Sequence, residues 1–184
     1  MKKTVLTFGL LSGLVVSAMM ALTMPFVGDE IGFDGGMVIG YASMLAAFLL
    51  VYFGVRSYRD NVARGTISFG RAFTVGALIA LVASLCYTAT WEVIYFGFDS
   101  DFTAKYTAHT MEAARAKGAS PAELEQKAAE MKKFSEMYEN PMYNAAMTMV
   151  EPLPLGLVVA LVSAGVLSRR RRGVADTRAV AQTV

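Results

Sequence analysis

This chain has one cysteine, one histidine and one tryptophan in 184 residues. A lone Cys86 closes no intrachain disulfide, and as a small apolar packing residue inside a hydrophobic stretch it needs no other role. A lone His109 makes no metal site, because structural and catalytic zinc centres need three or four ligands. Charge is sparse as well. Only 17% of residues are Asp, Glu, Lys or Arg, where a soluble domain averages about 25%. GxSxG, HExxH, P-loop and GxGxxG patterns are all missing. With no nucleophile–base set or ligand cluster, the expectation is no enzyme, no catalytic residue, no cofactor and no metal. A net charge of +2, with its arginine runs beside apolar segments, is no nucleic-acid signature either.

What the chain does have is hydrophobic length. Apolar residues make up 55% and mean hydropathy is +0.45. Four apolar stretches lie near residues 4–27, 35–55, 72–98 and 152–168. A membrane span needs about 20 apolar residues, with a range of roughly 17–25. The first three meet that easily, while the fourth, at about 25 Å along a helix, is short. Lys2 and Lys3 precede the first stretch. Arg56, Arg59, Arg64 and Arg71 lie between the second and third, and residues 169–172 and Arg178 follow the fourth. The connection between the first two has no Lys or Arg but contains Asp29, Glu30 and Asp34. Eleven of the 17 basic residues thus fall on one side, and the other six are diluted among eight acids in one long loop. This is the positive-inside pattern, with both termini and the middle loop cytoplasmic. The first stretch runs well beyond the roughly 7–15 residues of a signal-peptide core and no A-x-A triplet follows it, so an uncleaved span is expected.

Small residues recur every fourth position: Gly9, Gly13, Ser17 and Ala21 in the first span, Gly36 and Gly40 in the second. The third has Gly76, Ala80, Ser84 and Thr88, and the fourth Gly156, Ala160 and Ala164. Such stripes let helices approach closely in lipid, and intramolecular packing explains them before a dimer interface does. In the middle loop Gly65 is a helix stop and Ser68 a candidate cap. The long loop, residues 99–141, is predicted to be an extramembrane helical hairpin. Ser120-Pro121-Ala122-Glu123 is a capping box with proline at the first helical position, opening a helix over residues 121–139 that stops at Asn140-Pro141. Leu124, Ala128, Met131, Phe134 and Tyr138 give that helix one apolar face. A second helix is predicted over residues 101–117, ending at Gly118. Residues 1–172 form the membrane domain and residues 173–184 a flexible cytoplasmic tail.

Two acids interrupt the apolar segments. Glu92 lies about 31 Å along a helix from Arg71, and Glu151 about 27 Å from Arg169. Both therefore fall near the outer boundary, at similar height, and are predicted to approach each other or to share polar partners. An acid pair facing an outer cavity would bind a proton or cation. The plainer account is interfacial: Glu151 precedes Pro152 and caps the fourth span, while Glu92 sits beside Trp91, Tyr87 and Tyr95 in an aromatic belt. That account is preferred, because depth removes most of the roughly 2.5–3.5 kcal/mol that a mid-span acid costs. His109 reads as a neutral surface residue. The twelve methionines read as deformable packing.

Three pieces resemble a known family: Tyr58-Arg59-Asp60, then Gly65-Thr66-Ile67-Ser68-Phe69-Gly70-Arg71-Ala72-Phe73, then Glu151-Pro152-Leu153-Pro154-Leu155-Gly156 with its basic end. They look like the bacterial integral membrane proteins catalogued as domain of unknown function 4199. The resemblance covers about residues 1–172. It implies four spans with a helical insert before the last and placement in the bacterial inner membrane, and it brings no activity. The fold expected is an all-α membrane protein, a four-helix bundle with a helical insert. The function expected is a non-enzymatic envelope or regulatory component, in contact with the bilayer and with a membrane-protein partner or further copies of itself. The alternative is a small proton- or cation-coupled transporter or channel subunit using Glu92 and Glu151.

Overall fold

The structure, a computed structural model, describes residues 1–27, 30–98 and 101–168. Arg178, residues 169–172 and the tail expected over 173–184 lie outside the described residues. Seven α-helices and one 3₁₀ turn account for the ordered elements among them, and no strand occurs there. They are α1 (Lys2–Thr23), continued by the 3₁₀ turn Met24–Phe26, then α2 (Gly32–Asn61) and α3 (Phe69–Gly97). α4 (Phe102–Ala116), α5 (Pro121–Tyr138), α6 (Pro141–Met149) and α7 (Pro152–Leu167) follow. Four segments are long and apolar enough to cross a membrane: Lys2–Phe26, Gly32–Asn61, Phe69–Gly97 and Pro141–Leu167. Their outer surfaces are apolar too. Leu14, Leu22, Val38 and Val93 are each more than 60% exposed, which suits acyl chains and not water.

The helices outlast the apolar stretches that mark them. α2 continues past residue 55 to Asn61, and the connection to α3 contracts to residues 62–68. Thirty residues span about 45 Å, more than a hydrocarbon core of about 30 Å. The surplus turn carries Arg56 and Arg59, which pair with Asp60 at 3.7 and 2.7 Å, while Tyr58 turns inward and is buried. Gly65 is the expected stop: its φ is +88° and its N–H donates to the Arg59 carbonyl at 2.8 Å. Arg64 is left-handed as well, at φ 55°. Ser68 occupies the cap position of α3 in extended conformation, but its hydroxyl makes no capping bond, contrary to expectation.

The fourth span also differs from its expected bounds. α6 occupies residues that the sequence reading left unassigned, and Pro141–Leu167 spans 27 residues in place of a short helix from residue 152. Asn140 explains this. Its side-chain oxygen accepts from the N–H groups of Met142 and Tyr143 at 3.0 and 3.4 Å, with Pro141 at the first helical position. The same Asn-Pro pair that ends α5 therefore starts α6. Pro152 has no N–H to continue the α6 ladder, and the chain breaks at Val150 and Glu151 before α7 begins.

α3 is the centre of the bundle and packs on α1, α2 and α7. The small stripes meet it directly. A Cβ on Gly13 would lie 2.6 Å from the Cβ of Cys86, and one on Gly156 2.7 Å from that of Ala80. Ser12 Oγ donates to the Ala47 carbonyl of α2 at 2.8 Å, and Thr90 Oγ1 to Ser17 Oγ at 2.8 Å. Phe48, Val51, Val55, Val75 and Ile79 fill the centre with almost no exposure. The α5 capping box forms as predicted: Glu123 Oε2 accepts from the Ser120 N–H at 2.7 Å, and Ser120 Oγ accepts from the Glu123 N–H at 3.4 Å. The Ser120 N–H, and the Ser120 hydroxyl that donates to the same oxygen at 2.8 Å, hold the Glu123 carboxyl below its usual range.

The glycines divide into two kinds with opposite expected responses. Gly156→Ala should lower the thermal unfolding midpoint in detergent, because overpacking costs about 1–3 kcal/mol. Gly40→Ala should leave it unchanged or raise it, since nothing lies within 4 Å of a Cβ there. Equal responses would mean that the small stripes do not set the helix spacing.

Ser120→Ala should cost about 0.5–2 kcal/mol in the stability of α5 and Ser120→Gly only a few tenths. Because the folded-state Glu123 carboxyl lies below its unfolded value, its contribution is complete above the unfolded value and disappears as pH falls through the folded one. The protection of the first turn of α5 against hydrogen exchange, relative to the intrinsic rate at the same pH, should therefore fall only below about pH 4.3, the ordinary Glu range.

Candidate functional site: a groove beside the third helix

A groove of about 950 Å³ opens between α1, α2, α3 and the α4–α6 segment. Val16 and Met44 line its inner end and belong to the buried core, so that end is closed. Lys117, Gly118, Glu123 and Lys127 lie at its other end, around the α4–α5 turn. Six methionines line it, namely Met19, Met20, Met24, Met37, Met44 and Met147. Unbranched thioethers of this kind make a wall that can reshape around what it holds.

The aromatic wall is held by a buried polar network. Trp91 Nε1 donates to Asn144 Oδ1 at 2.9 Å and to the Tyr138 hydroxyl at 3.1 Å. Asn144, which is wholly buried, donates through Nδ2 to the Tyr138 carbonyl at 3.2 Å and accepts from Thr148 Oγ1 at 3.3 Å. One amide thus ties α3, α5 and α6 together, as buried polar groups require. Burial raises the Tyr138 hydroxyl above its ordinary range, so it stays protonated. Tyr95 donates to or accepts from Thr103 of α4 at 2.7 Å. At the mouth, the Phe33 ring centre lies 5.8 Å from Phe102, 5.6 Å from Tyr106 and 5.1 Å from His109. His109 Nε2 stands 3.8 Å from Asp34 Oδ1, an ion pair only when the imidazole is protonated. His109 is therefore a groove residue packed on an aromatic ring, and not the isolated surface histidine expected.

The two acids are not brought to common partners. Glu151 lines the groove and is exposed to it. Its Oε2 accepts from the Tyr87 hydroxyl at 3.2 Å. It stands at the N-cap of α7 but makes no side-chain capping bond, so the expected cap is absent. Glu92 is half-buried, does not line the groove, and its Oε1 is buried without a hydrogen-bond partner. Of the two arrangements expected, mutual approach or shared polar partners, the second is not found among the described residues. Of the resembling motif, Gly65 ends a helix, Pro152 starts one and Tyr58 is core, while Arg59 and Asp60 pair with each other; Ser68, Phe69 and Gly70 open α3, and Pro154 lies in the first turn of α7. None of these lines the groove.

Asn144 and the groove itself were not singled out from sequence. The signal for Asn144 was present: an amide inside an apolar segment has to find partners. Four helices long and apolar enough to cross a membrane, with a groove enclosed among them, define a multi-pass helical membrane protein. The chain belongs to the family described as "Protein of unknown function (DUF4199)", whose model matches residues 7–169. No curated protein and no solved structure matches the chain.

Asn144→Ala should strand the Tyr138 carbonyl and remove one acceptor from Trp91. The expected loss is about 1–3 kcal/mol, read as a lower unfolding midpoint in detergent, together with a shifted emission maximum from Trp91. An unchanged midpoint and spectrum would show that the amide does not hold this wall.

Proposed function

We propose that this protein is a non-enzymatic component of a bacterial inner membrane whose work is to bind at the groove. The observation that supports this is the character of the lining. Methionines, aromatic rings and three carboxylates, Asp34, Glu123 and Glu151, make contacts, and among the described residues no Ser, Thr or Cys nucleophile of the lining is hydrogen-bonded to His109. In this reading both termini and residues 62–68 face the cytoplasm, following the basic residues. α4 and α5 form an extramembrane hairpin on the opposite side, where Tyr106 and Phe134 meet at 6.5 Å. The groove mouth then opens outward. An envelope or regulatory role follows from a protein that senses or carries an occupant without transforming it, and its partners are lipid, another membrane protein or further copies of itself.

Orientation is the part of this proposal that a labelling experiment decides. In a Cys86→Ala background, Ala116→Cys should react with a membrane-impermeant maleimide in intact cells. Thr66→Cys and Ala175→Cys should react only after the cells are opened. Ala116 and Thr66 are exposed and are not themselves in left-handed conformation. Labelling of Thr66→Cys in intact cells would reverse the orientation and turn the groove inward.

A further inference from the structure

We infer that the groove takes an organic monocation with an apolar or aromatic body, held by Glu151. The inference rests on the binding reading above and adds the chemistry of the occupant. Its basis is how the charges along the groove are distributed. Of the acids at the mouth, Asp34 faces His109 at 3.8 Å and Glu123 is occupied by the Ser120 cap; of the lysines there, Lys127 faces Glu130 at 3.9 Å and Lys117 enters no ion pair found among the described residues. Glu151 is different. It is exposed to the groove, takes one hydrogen bond from Tyr87, and enters none of the ion pairs found among the described residues. A carboxylate in an apolar span carries an energetic penalty that one positive charge would offset.

The surroundings say what kind of positive charge. A divalent metal ion needs about six to eight oxygen ligands, or for zinc about four ligands in all. Among the described residues no group of three or more His, Cys, Asp and Glu side chains could hold one. A phosphate-bearing amphiphile would place like charge against Glu151 if its headgroup went inward. If its tail went inward, the carboxylate would stay unmatched against hydrocarbon. An organic cation answers both features of the wall. Tyr87 and Trp91 line the groove from α3, with Tyr138 beside them, and aromatic faces attract desolvated cations. The Trp91 ring is already fixed in place by Asn144 and Tyr138, so its orientation need not be acquired on binding. The methionine wall adapts to the apolar body.

Trp91 is the single tryptophan of the chain and lines the groove, so its fluorescence reports occupancy. Purified full-length protein in detergent would be titrated with tetraphenylphosphonium and, separately, with tetraphenylborate, an anion of nearly the same shape. Calorimetry would give a second readout. The expected result is saturable binding of the cation at one site, at least tenfold tighter than the anion. Glu151→Gln should weaken the cation at least tenfold and leave the anion unaffected or improved. Circular dichroism and the melting profile would establish that the variant is folded. Equal affinities for the two ions would overturn the inference and leave a groove that binds apolar bodies regardless of charge. A folded Glu151→Gln that binds the cation like the wild type would overturn it as well. Saturable binding of neither ion by the folded wild type would overturn both this inference and the binding reading beneath it. Should Glu151→Gln not fold, the comparison of cation and anion on the unmodified protein still decides.

Discussion

The close approach of α1 and α7 to α3 is the constraint from which the rest of the structure follows. Lipid tails are as apolar as leucine, so helices in a bilayer gain little by hiding hydrophobic surface from it. They associate where backbones can come near enough for dense contact. Gly9 and Gly13 admit Val82 and Cys86 of α3, and Gly76 and Gly156 admit Ala160 and Ala80 across the α3–α7 seam. Where these stripes run, the bundle is closed. Further along the same helices the side chains become large: Met20 follows Gly13 and Ser17 on α1, and Tyr87 and Trp91 follow Ala80 and Ala83 on α3. Bulk there separates the backbones that glycine brings together. On α1 and α3 the groove thus accompanies a change in residue size along the helix, while Gly36 and Gly40 of α2 leave room for it on the facing side.

An open end needs support that packing alone does not give. Asn144 supplies it. With its amide wholly buried and bonded to Trp91, Tyr138 and Thr148, it fixes α6 against α3 and sets the exit direction of α5. A buried network of this sort is stable only when every member is satisfied, and here the indole N–H, the amide and the Tyr138 carbonyl all have partners. The break between α6 and α7 follows next along the chain. Pro152 ends one ladder and begins another, and Glu151 is left at the junction, where its carboxylate reaches Tyr87. A continuous helix over Pro141–Leu167 would have no such junction, so the proline and the placement of the carboxylate are one structural fact.

The sequence was legible where a local rule acts alone. Hydropathy located all four spans, and basic residues bounded them. Ser120, Pro121 and Glu123 announced α5, because a capping box needs only residues within one turn. Gly65 announced the end of α2 because a left-handed residue favours glycine. Legibility failed where two rules compete or where contact is distant. Asn140-Pro141 was read as a stop and is equally a start. Glu151 before a proline had the position of a cap, but its side chain found a tyrosine 64 residues away. Counting residues predicts similar heights for Glu92 and Glu151. That Tyr87 donates to Glu151 while the buried oxygen of Glu92 has no donor was not legible, because the side of a helix that faces a neighbour depends on how the whole bundle is rotated.

The contrast between those two acids shows which of them is available for chemistry. Both interrupt apolar helices, and both were candidates on the same energetic ground. Glu92 keeps one oxygen buried and unpaired, an arrangement that costs about 1–3 kcal/mol, and it has no opening into the groove. Nothing dissolved or bound in the groove can reach it to relieve that cost, so its effect is on stability. Glu151 has a hydroxyl donor on one oxygen and open space beside it. Its desolvation can be offset from outside the protein, by whatever enters. A carboxylate whose partner must come from outside selects for occupants that carry a positive charge, and the rings and thioethers around it select for those that are also apolar. In this bundle the acid beside the proline break is open to the groove and the acid within the continuous helix is not.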